Sequence, residues 1–308
     1  MHPSVQKLKR MLHQAIIGQE EMIDALIIGL LCEGHILIEG LPGLAKTSTI
    51  SALSLAVGLG SKRIQFTPDM LPSDIIGTEI YNPKDHSFSI KKGPVFTHLL
   101  LADEINRAPA KVQSALLEVM QEKQVTIAEE TFNLSAPFLV MATQNPIEQE
   151  GVYPLPQAQL DRFMMKVLVS YNNEAQELEI MRRVANKSFE AINKVLELSE
   201  IQALQKSLDA IHIDKELEAY IIKLVISTRD ANNQNIMYGA SPRASIDLYK
   251  ASKAKALLKG KDFVTPSDIA EVIYPVLRHR IILSYEARAK GITSDAIISE
   301  ILQTVRIP

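Results

Sequence analysis

Apolar residues at Val5, Leu8, Met11, Leu12 and Ala15 keep the spacing of one helical face and predict a helix over 5–17, followed by a second over 20–33. The texture then changes. Short apolar runs at 35–38, 63–66, 98–102, 138–142 and 164–169 predict buried strands with helical or loop segments between them. Such alternation argues for a largely parallel sheet with helices on both faces. Beyond about residue 172 no further strand is expected, and helices are predicted over 174–187, 199–207, 215–232, 242–258, 266–274 and 294–305. The chain therefore divides into an α/β domain over 1–169 and a smaller all-α domain over 170–308, with "SYNNE" (170–174) as the linker. Two stretches in the first part, 78–93 and 124–134, alternate around turn residues and predict hairpins. As bare pattern, both are ordinary surface ribbons.

Composition narrows the class. The 308 residues are 46% hydrophobic with a mean hydropathy of +0.04, as expected of a soluble globular chain with room for two domains. The longest apolar run, from Ala25 to Cys32, stops at Glu33 and is too short to cross a bilayer. The N-terminal "MHPSVQKLKRML" has neither the apolar core nor the small-residue cleavage site of a secretory leader. Cys32 is the only cysteine, which excludes an internal disulfide and cysteine-rich metal sites and points to a reducing, cytoplasmic setting. A net charge of −3 gives no general attraction to nucleic acid or anionic lipid, and the seven histidines have no ligand-like spacing.

Candidate chemistry begins at "GLPGLAKT" (40–47), one residue from the phosphate loop GxxxxGK[ST], with Ala45 in place of the second glycine. It follows the apolar "HILIEG" and precedes "KTSTISALSLAVG", so a strand, a glycine-bearing turn and a helix come in the order a phosphate cradle needs. Lys46 sits in the first helical turn, where a cation opposes the helix dipole by roughly 0.3–1 kcal/mol unless an anion is bound. Thr47 is placed to offer its hydroxyl to Mg²⁺. Ala45 lies where the chain enters a right-handed helix, so its Cβ need not strain the backbone. A glycine-rich turn without a ligand accounts for the same letters.

"HLLLADE" (98–104) ends an apolar strand with two carboxylates, and "DEINRAP" then begins a helix whose apolar positions are Val112, Leu116, Val119 and Met120. Asp103 can hold Mg²⁺ and Glu104 can orient an attacking water, or either can cap the helix. "FLVMATQNP" (138–146) is another strand with a polar end, where Asn145 either holds a water or starts an Asn-Pro turn. Arg162 in "QLDRF" precedes the strand over 164–169. Arg243 in "SPRAS" follows Ser241 as N-cap and Pro242 as first helical residue, so it too meets the dipole at its unfavourable end. Each arginine read alone is more often a surface ion pair than an anion contact.

In order, "GLPGLAKT", "LLLADE", "ATQNP", "QLDRF" and "SPR" resemble the AAA+ ATPases, and within them the MoxR family, over nearly the whole chain. The most specific pieces are the alanine-bearing loop, which is usual in MoxR proteins, "DEINRAPAKVQSALLEVMQE" (103–122) and "GVYPLPQAQLDRF" (151–163). The resemblance implies an AAA+ P-loop sheet followed by a helical lid, with ATP and Mg²⁺ as cofactors. Gly40, Pro42, Gly43, Leu44, Ala45, Lys46, Thr47 and Ser48 would form Walker A, and Asp103 and Glu104 Walker B, with Thr47 and Asp103 on the metal. Asn145 would be sensor 1, Arg162 the arginine finger for a neighbouring subunit, and Arg243 sensor 2, in cis or in trans. "IIGQE" (16–20) matches the adenine-lining segment, which makes Ile17 and Gly18 base contacts. The hairpins match the helix-2 insert and the pre-sensor-1 hairpin.

The implied assembly is a homo-oligomeric ring, hexameric in the family, using ATP to remodel, assemble or activate partner proteins. Such proteins often work beside a von Willebrand factor A (VWA) domain. Its DxSxS motif is absent here, so that partner would be a separate chain. The alternatives are a nucleic-acid motor or loader reading through Lys84, Lys91 and Lys92, a magnesium-chelatase-type motor subunit, and a non-hydrolysing nucleotide-gated scaffold. The slightly acidic charge argues against the first of these.

Overall fold

The computed structural model describes residues 2–41, 44, 46–84, 86–146, 152–186 and 190–308. Two N-terminal helices, α1 (Pro3–Ala15) and α2 (Glu20–Cys32), lead into β1 (Ile36–Gly40), α3 (Lys46–Val57) and β2 (Ser61–Gln65). A short α4 (Pro72–Ile76) opens the antiparallel ribbon β3 (Gly77–Asn82) and β4 (Ser87–Lys92). Next come β5 (Leu99–Asp103), α5 (Ala110–Glu122), the ribbon β6 (Gln124–Ile127) and β7 (Glu130–Asn133), β8 (Leu139–Gln144), α6 (Gln157–Leu160) and β9 (Met165–Val169). The rest is mainly helical: α7 (Glu174–Ala185), α8 (Leu198–Ala210), α9 (Lys215–Ser227), β10 (Ile236–Tyr238), α10 (Pro242–Lys259), α11 (Pro266–Leu277), β11 (Ile282–Leu283), α12 (Tyr285–Ala289) and α13 (Ser294–Thr304).

All five expected core strands form, with ends displaced by at most two residues, and pair in parallel in the order β2-β5-β8-β1-β9. Alternation within each strand separates two cores. Ile36, Ile38, Leu99, Leu101, Leu139 and Met141 face the helices α1, α2, α3 and α10, whereas Leu37, Leu100, Ala102, Val140 and Ala142 face α4 and α5. Both faces are covered, which is why the strands read as unbroken apolar runs. After β1 the chain leaves for the far edge at β2, returns through β5 and β8, then crosses to β9 on the other side of β1. That reversal opens a crevice at the carboxyl end of β1.

Three expectations need correction. The helix expected from "DEINRAP" starts later: β5 runs on to Asp103, residues 105–107 form a 3₁₀ turn, and α5 begins at Ala110 after Pro109 fixes the entry. The helix expected over 215–232 stops at Ser227, where Thr228 closes it by donating its hydroxyl to Val225 O. The helical C-terminal part also holds one small antiparallel ribbon, β10 with β11, whose strands of three and two residues are too short for periodicity to register.

His35 ties the start of β1 to the opposite core. Its Nδ1 accepts the Val140 N–H at 3.1 Å and its Nε2 donates to Met120 O at 3.0 Å, so the ring is held neutral. Burial holds its pKa down to about 4. A depressed histidine stabilises fully above its ordinary value near 6.5 and loses that contribution as pH falls toward 4. The difference is worth about 3 kcal/mol. Chemical denaturation between pH 6.5 and 4 is expected to show a steeper loss of stability in the wild type than in His35→Gln, whose amide keeps both hydrogen bonds without titrating.

Candidate functional site

The carboxyl ends of the central strands bring most of the sequence-selected residues together. Gly40 ends β1, aligned with Val169 of β9, and a Cβ at Gly40 would stand 2.7 Å from Val169 O, so only glycine fits. Lys46 opens α3 half-buried and reaches back to donate to Gly40 O at 2.8 Å. Thr47 and Ser48 follow on the exposed side of the first turn, and Leu44 packs against the core. Pro42, Gly43 and Ala45, expected in the same loop, lie outside the described residues.

Asp103 ends β5, in register with Gln65 of β2. Its Oδ1 accepts the Thr143 hydroxyl at 2.6 Å, and its Oδ2 accepts Arg63 Nη2 at 2.6 Å. Glu104 adopts a left-handed backbone, φ 56°, an unusual conformation for a side chain of its size. Its N–H is anchored on Thr143 Oγ1 at 2.9 Å, and its carboxylate accepts Gln65 Nε2 at 2.7 Å and Arg107 Nη1 at 3.3 Å. The capping role open at the sequence level is not taken up, since Glu104 makes no side-chain cap to the 3₁₀ turn. Asn145 sits buried just beyond β8, whose Gln144 aligns with Glu39 of β1, so it shares the same end of the sheet.

Burial pulls the Lys46 ammonium below its ordinary range, and the nearby charges of Asp103 and Glu104 pull it back up. One cation facing two carboxylates across a strand end is chemistry for phosphate, oxygen-loving metal and an activated water. Sequence reading missed Arg63, Gln65, Arg107 and Thr143 around these carboxylates. Thr143 lies within "ATQNP" and carried a faint signal. Arg63 and Gln65 carried none, because only the register of β2 against β5 brings them there.

Ile17 and Gly18 lie at the same end of the sheet. Gly18 has φ +72°, and a Cβ on it would meet Asn172 Oδ1 at 2.6 Å. Gln19 Nε2 donates to Ser170 O at 3.0 Å, which fastens this segment to the strand exit beside Gly40.

The two arginines are elsewhere. Arg162 lies just before β9, where Met164 N–H donates to His35 O at the start of β1. Its Nη1 donates to Leu117 O of α5 at 2.9 Å. Arg243 lies in the first turn of α10, with Ser241 as N-cap and Pro242 entering the helix, as the sequence suggested. Both arginines line one cavity of about 340 Å³ with Glu33, Gly34, His35 and Lys123. That cavity is at the amino end of β1 and Lys46 is past its carboxyl end. Five residues at about 3.3 Å each separate the two by roughly 16 Å along the strand. The structure therefore does not bring Arg162 or Arg243 to the Lys46 cluster of its own chain.

Among the described residues no group of three or more His, Cys, Asp or Glu is arranged to hold a metal, and no helix is long and apolar enough to cross a membrane.

The family model of ATPases associated with various cellular activities matches residues 35–165, and the AAA lid-domain model matches 228–301. Chaperone MoxR1 of Mycobacterium tuberculosis is 46% identical over 300 residues, covering 95% of this chain and 79% of that protein. The uncharacterized protein YeaC of Bacillus subtilis is 40% identical, covering 100% of this chain and 96% of that one. A crystal structure of a candidate ATPase from Cytophaga hutchinsonii superposes with a TM-score of 0.92 at 50% identity, over 99% of this chain and 95% of that one. Relatedness this high over almost the full length, with a five-stranded parallel sheet and a clustered Lys46, Asp103 and Glu104, leaves one conclusion: this nucleotide-binding chain is an ATP hydrolase and belongs to the MoxR family of AAA+ ATPases.

Proposed function

We propose that the chain works as a ring, six-membered by family resemblance, in which ATP held by one copy is triggered by the next. Within one copy, Gly40 to Ser48 hold the phosphates, Lys46 foremost, and Ile17 and Gly18 contact the base. Glu104 orients the attacking water and Asn145 steadies it. Arg162 and Arg243 act on the neighbour's γ-phosphate. The observation that carries this reading is the separation across β1: two arginines share one cavity at the end opposite Lys46. A guanidinium that distant serves only another copy's nucleotide.

Mg²⁺ fits the donors present. A helix-start hydroxyl at Thr47 and the partly exposed carboxylate of Asp103 are oxygen ligands of the kind Mg²⁺ shares with substrate phosphates, rather than an all-protein cage. Bound there, it would neutralise charge on the β- and γ-phosphates. We assign 1–169 to nucleotide binding and 170–308 to the lid, and the lone Cys32 fits a reducing cytoplasm.

The energy serves, in this reading, to remodel, assemble or activate partner proteins, with a VWA-domain protein as a separate partner. The M. tuberculosis relative, named a chaperone, supports that use. Glu104→Gln tests the site. ATP binding is expected to persist within a few-fold while steady-state turnover drops about 10²–10⁴-fold, because a positioned base is removed without altering the phosphate cradle. Sedimentation of the same variant with ATP and Mg²⁺ should show a ring. Persistence as monomers while the wild type turns over at full rate would overturn the assembly reading.

A further inference from the structure

The carbonyls of both residues flanking Arg162 accept from a single buried side chain. Arg280, just past α11, is 3% exposed. Its Nη2 donates to Phe163 O at 2.9 Å and to Asp161 O at 3.3 Å, and its Nε donates to Asp161 Oδ1 at 2.9 Å. Nη1 donates to Val276 O at 3.0 Å, and Nη2 also pairs with Asp247 of α10. Asp161 is the shared acceptor for the lid. It takes the Ser241 hydroxyl at 2.8 Å, and its carbonyl takes Arg243 Nη1 at 3.2 Å. His279 adds a third tie, Nε2 donating to Phe163 O at 2.9 Å. Arginine cannot shed its charge, so burying it here demands this many acceptors at once.

We propose that Arg280 is a positioning residue that locks the 161–163 loop onto the lid, so that Arg162 and Arg243 meet the neighbour's nucleotide as one rigid unit. This rests on the ring reading above. The residue touches no nucleotide; it fixes where two that do are aimed. A fork with five donors satisfies carboxylates and carbonyls on three segments together, which a lysine ammonium with one point of charge does not. Loosening the fork leaves Lys46, Asp103 and Glu104 unaffected at the other end of β1.

The test is Arg280→Lys beside Arg162→Ala and the double variant, measured at assembling concentrations. Arg280→Lys is expected to lower turnover at saturating ATP by about 10- to 100-fold, the cost of misplacing a reacting group by an ångström or so. KM, ATP affinity by calorimetry and ring size should stay within twofold. The double variant should be no slower than Arg162→Ala and Arg243→Ala combined, because Arg280 acts only through those two. Unchanged turnover in a folded, assembled Arg280→Lys, or further loss in a triple variant lacking all three arginines, overturns the proposal. Where Arg280→Lys is recovered unfolded, Ser241→Ala carries the comparison: a several-fold fall in turnover at constant ATP affinity supports the lock, and wild-type turnover overturns it. If Arg162→Ala itself keeps full turnover, the ring reading has failed and the positioning role goes with it, a result distinct from failure of Arg280 alone.

Discussion

Lys46→Ala is expected to remove ATP binding at micromolar nucleotide and, with it, all turnover. One of the three ammonium donors goes to Gly40 O, which leaves two for phosphate. A hydrogen bond to a charged group contributes about 1.5–3 kcal/mol net, so losing two costs about 3–6 kcal/mol. That corresponds to roughly 10²–10⁴ in affinity. The fold should be spared. Alanine is the strongest helix former, and the replaced cation sits at the helix end where the dipole disfavours it. Calorimetric titration with ATP and Mg²⁺ checks this, and an affinity within tenfold of wild type would remove Lys46 from the phosphate site.

Arg162→Ala should do the reverse, keeping ATP affinity and losing about 10³–10⁵ in turnover under assembling conditions, as expected for a guanidinium supplied from a neighbouring chain. Truncation also removes the Arg162 guanidinium that donates to Leu117 O of α5, so a loss of about 1 kcal/mol in stability should accompany the kinetic effect without explaining it. Mixing separates trans from cis action. Equimolar Lys46→Ala and Arg162→Ala chains, each inactive alone, should regain part of the wild-type rate, since some junctions combine an intact phosphate grip with an intact finger. If the mixture stays at the level of its components, Arg162 acts within its own chain or not at all.

Much of the site was legible because it is local. The start of α3 at Lys46, the acidic strand end at Asp103 and Glu104, and the capped start of α10 at Ser241 and Pro242 are each set by residues a few positions apart. Local geometry then does in space what it does in the letters. The strands were legible for a related reason: a sheet covered on both faces leaves no polar alternation, so its members appear as short apolar runs. What escaped was set by pairing between distant segments. Arg63 and Gln65 reach the carboxylates only because β2 lies beside β5 in that register. Arg280 carried no motif signal at all, yet it is 3% exposed because Asp161, Phe163, Val276 and Asp247 converge on it.

The sequence by itself determined the strand-to-helix step at Lys46, the carboxylate pair at the end of β5, the five strands of the central sheet and the change from α/β to mainly helical structure, because neighbouring residues and their period carry that information. Only the tertiary structure decided where the two arginines point. The parallel sheet sends every strand the same way, so residues before β9 and residues after β1 finish at opposite ends. The lid then folds against the first of those ends, where Arg280 fastens Asp161 and Phe163. Chain direction and long-range packing, neither of which a local motif encodes, set Lys46 and the two arginines at opposite ends of β1.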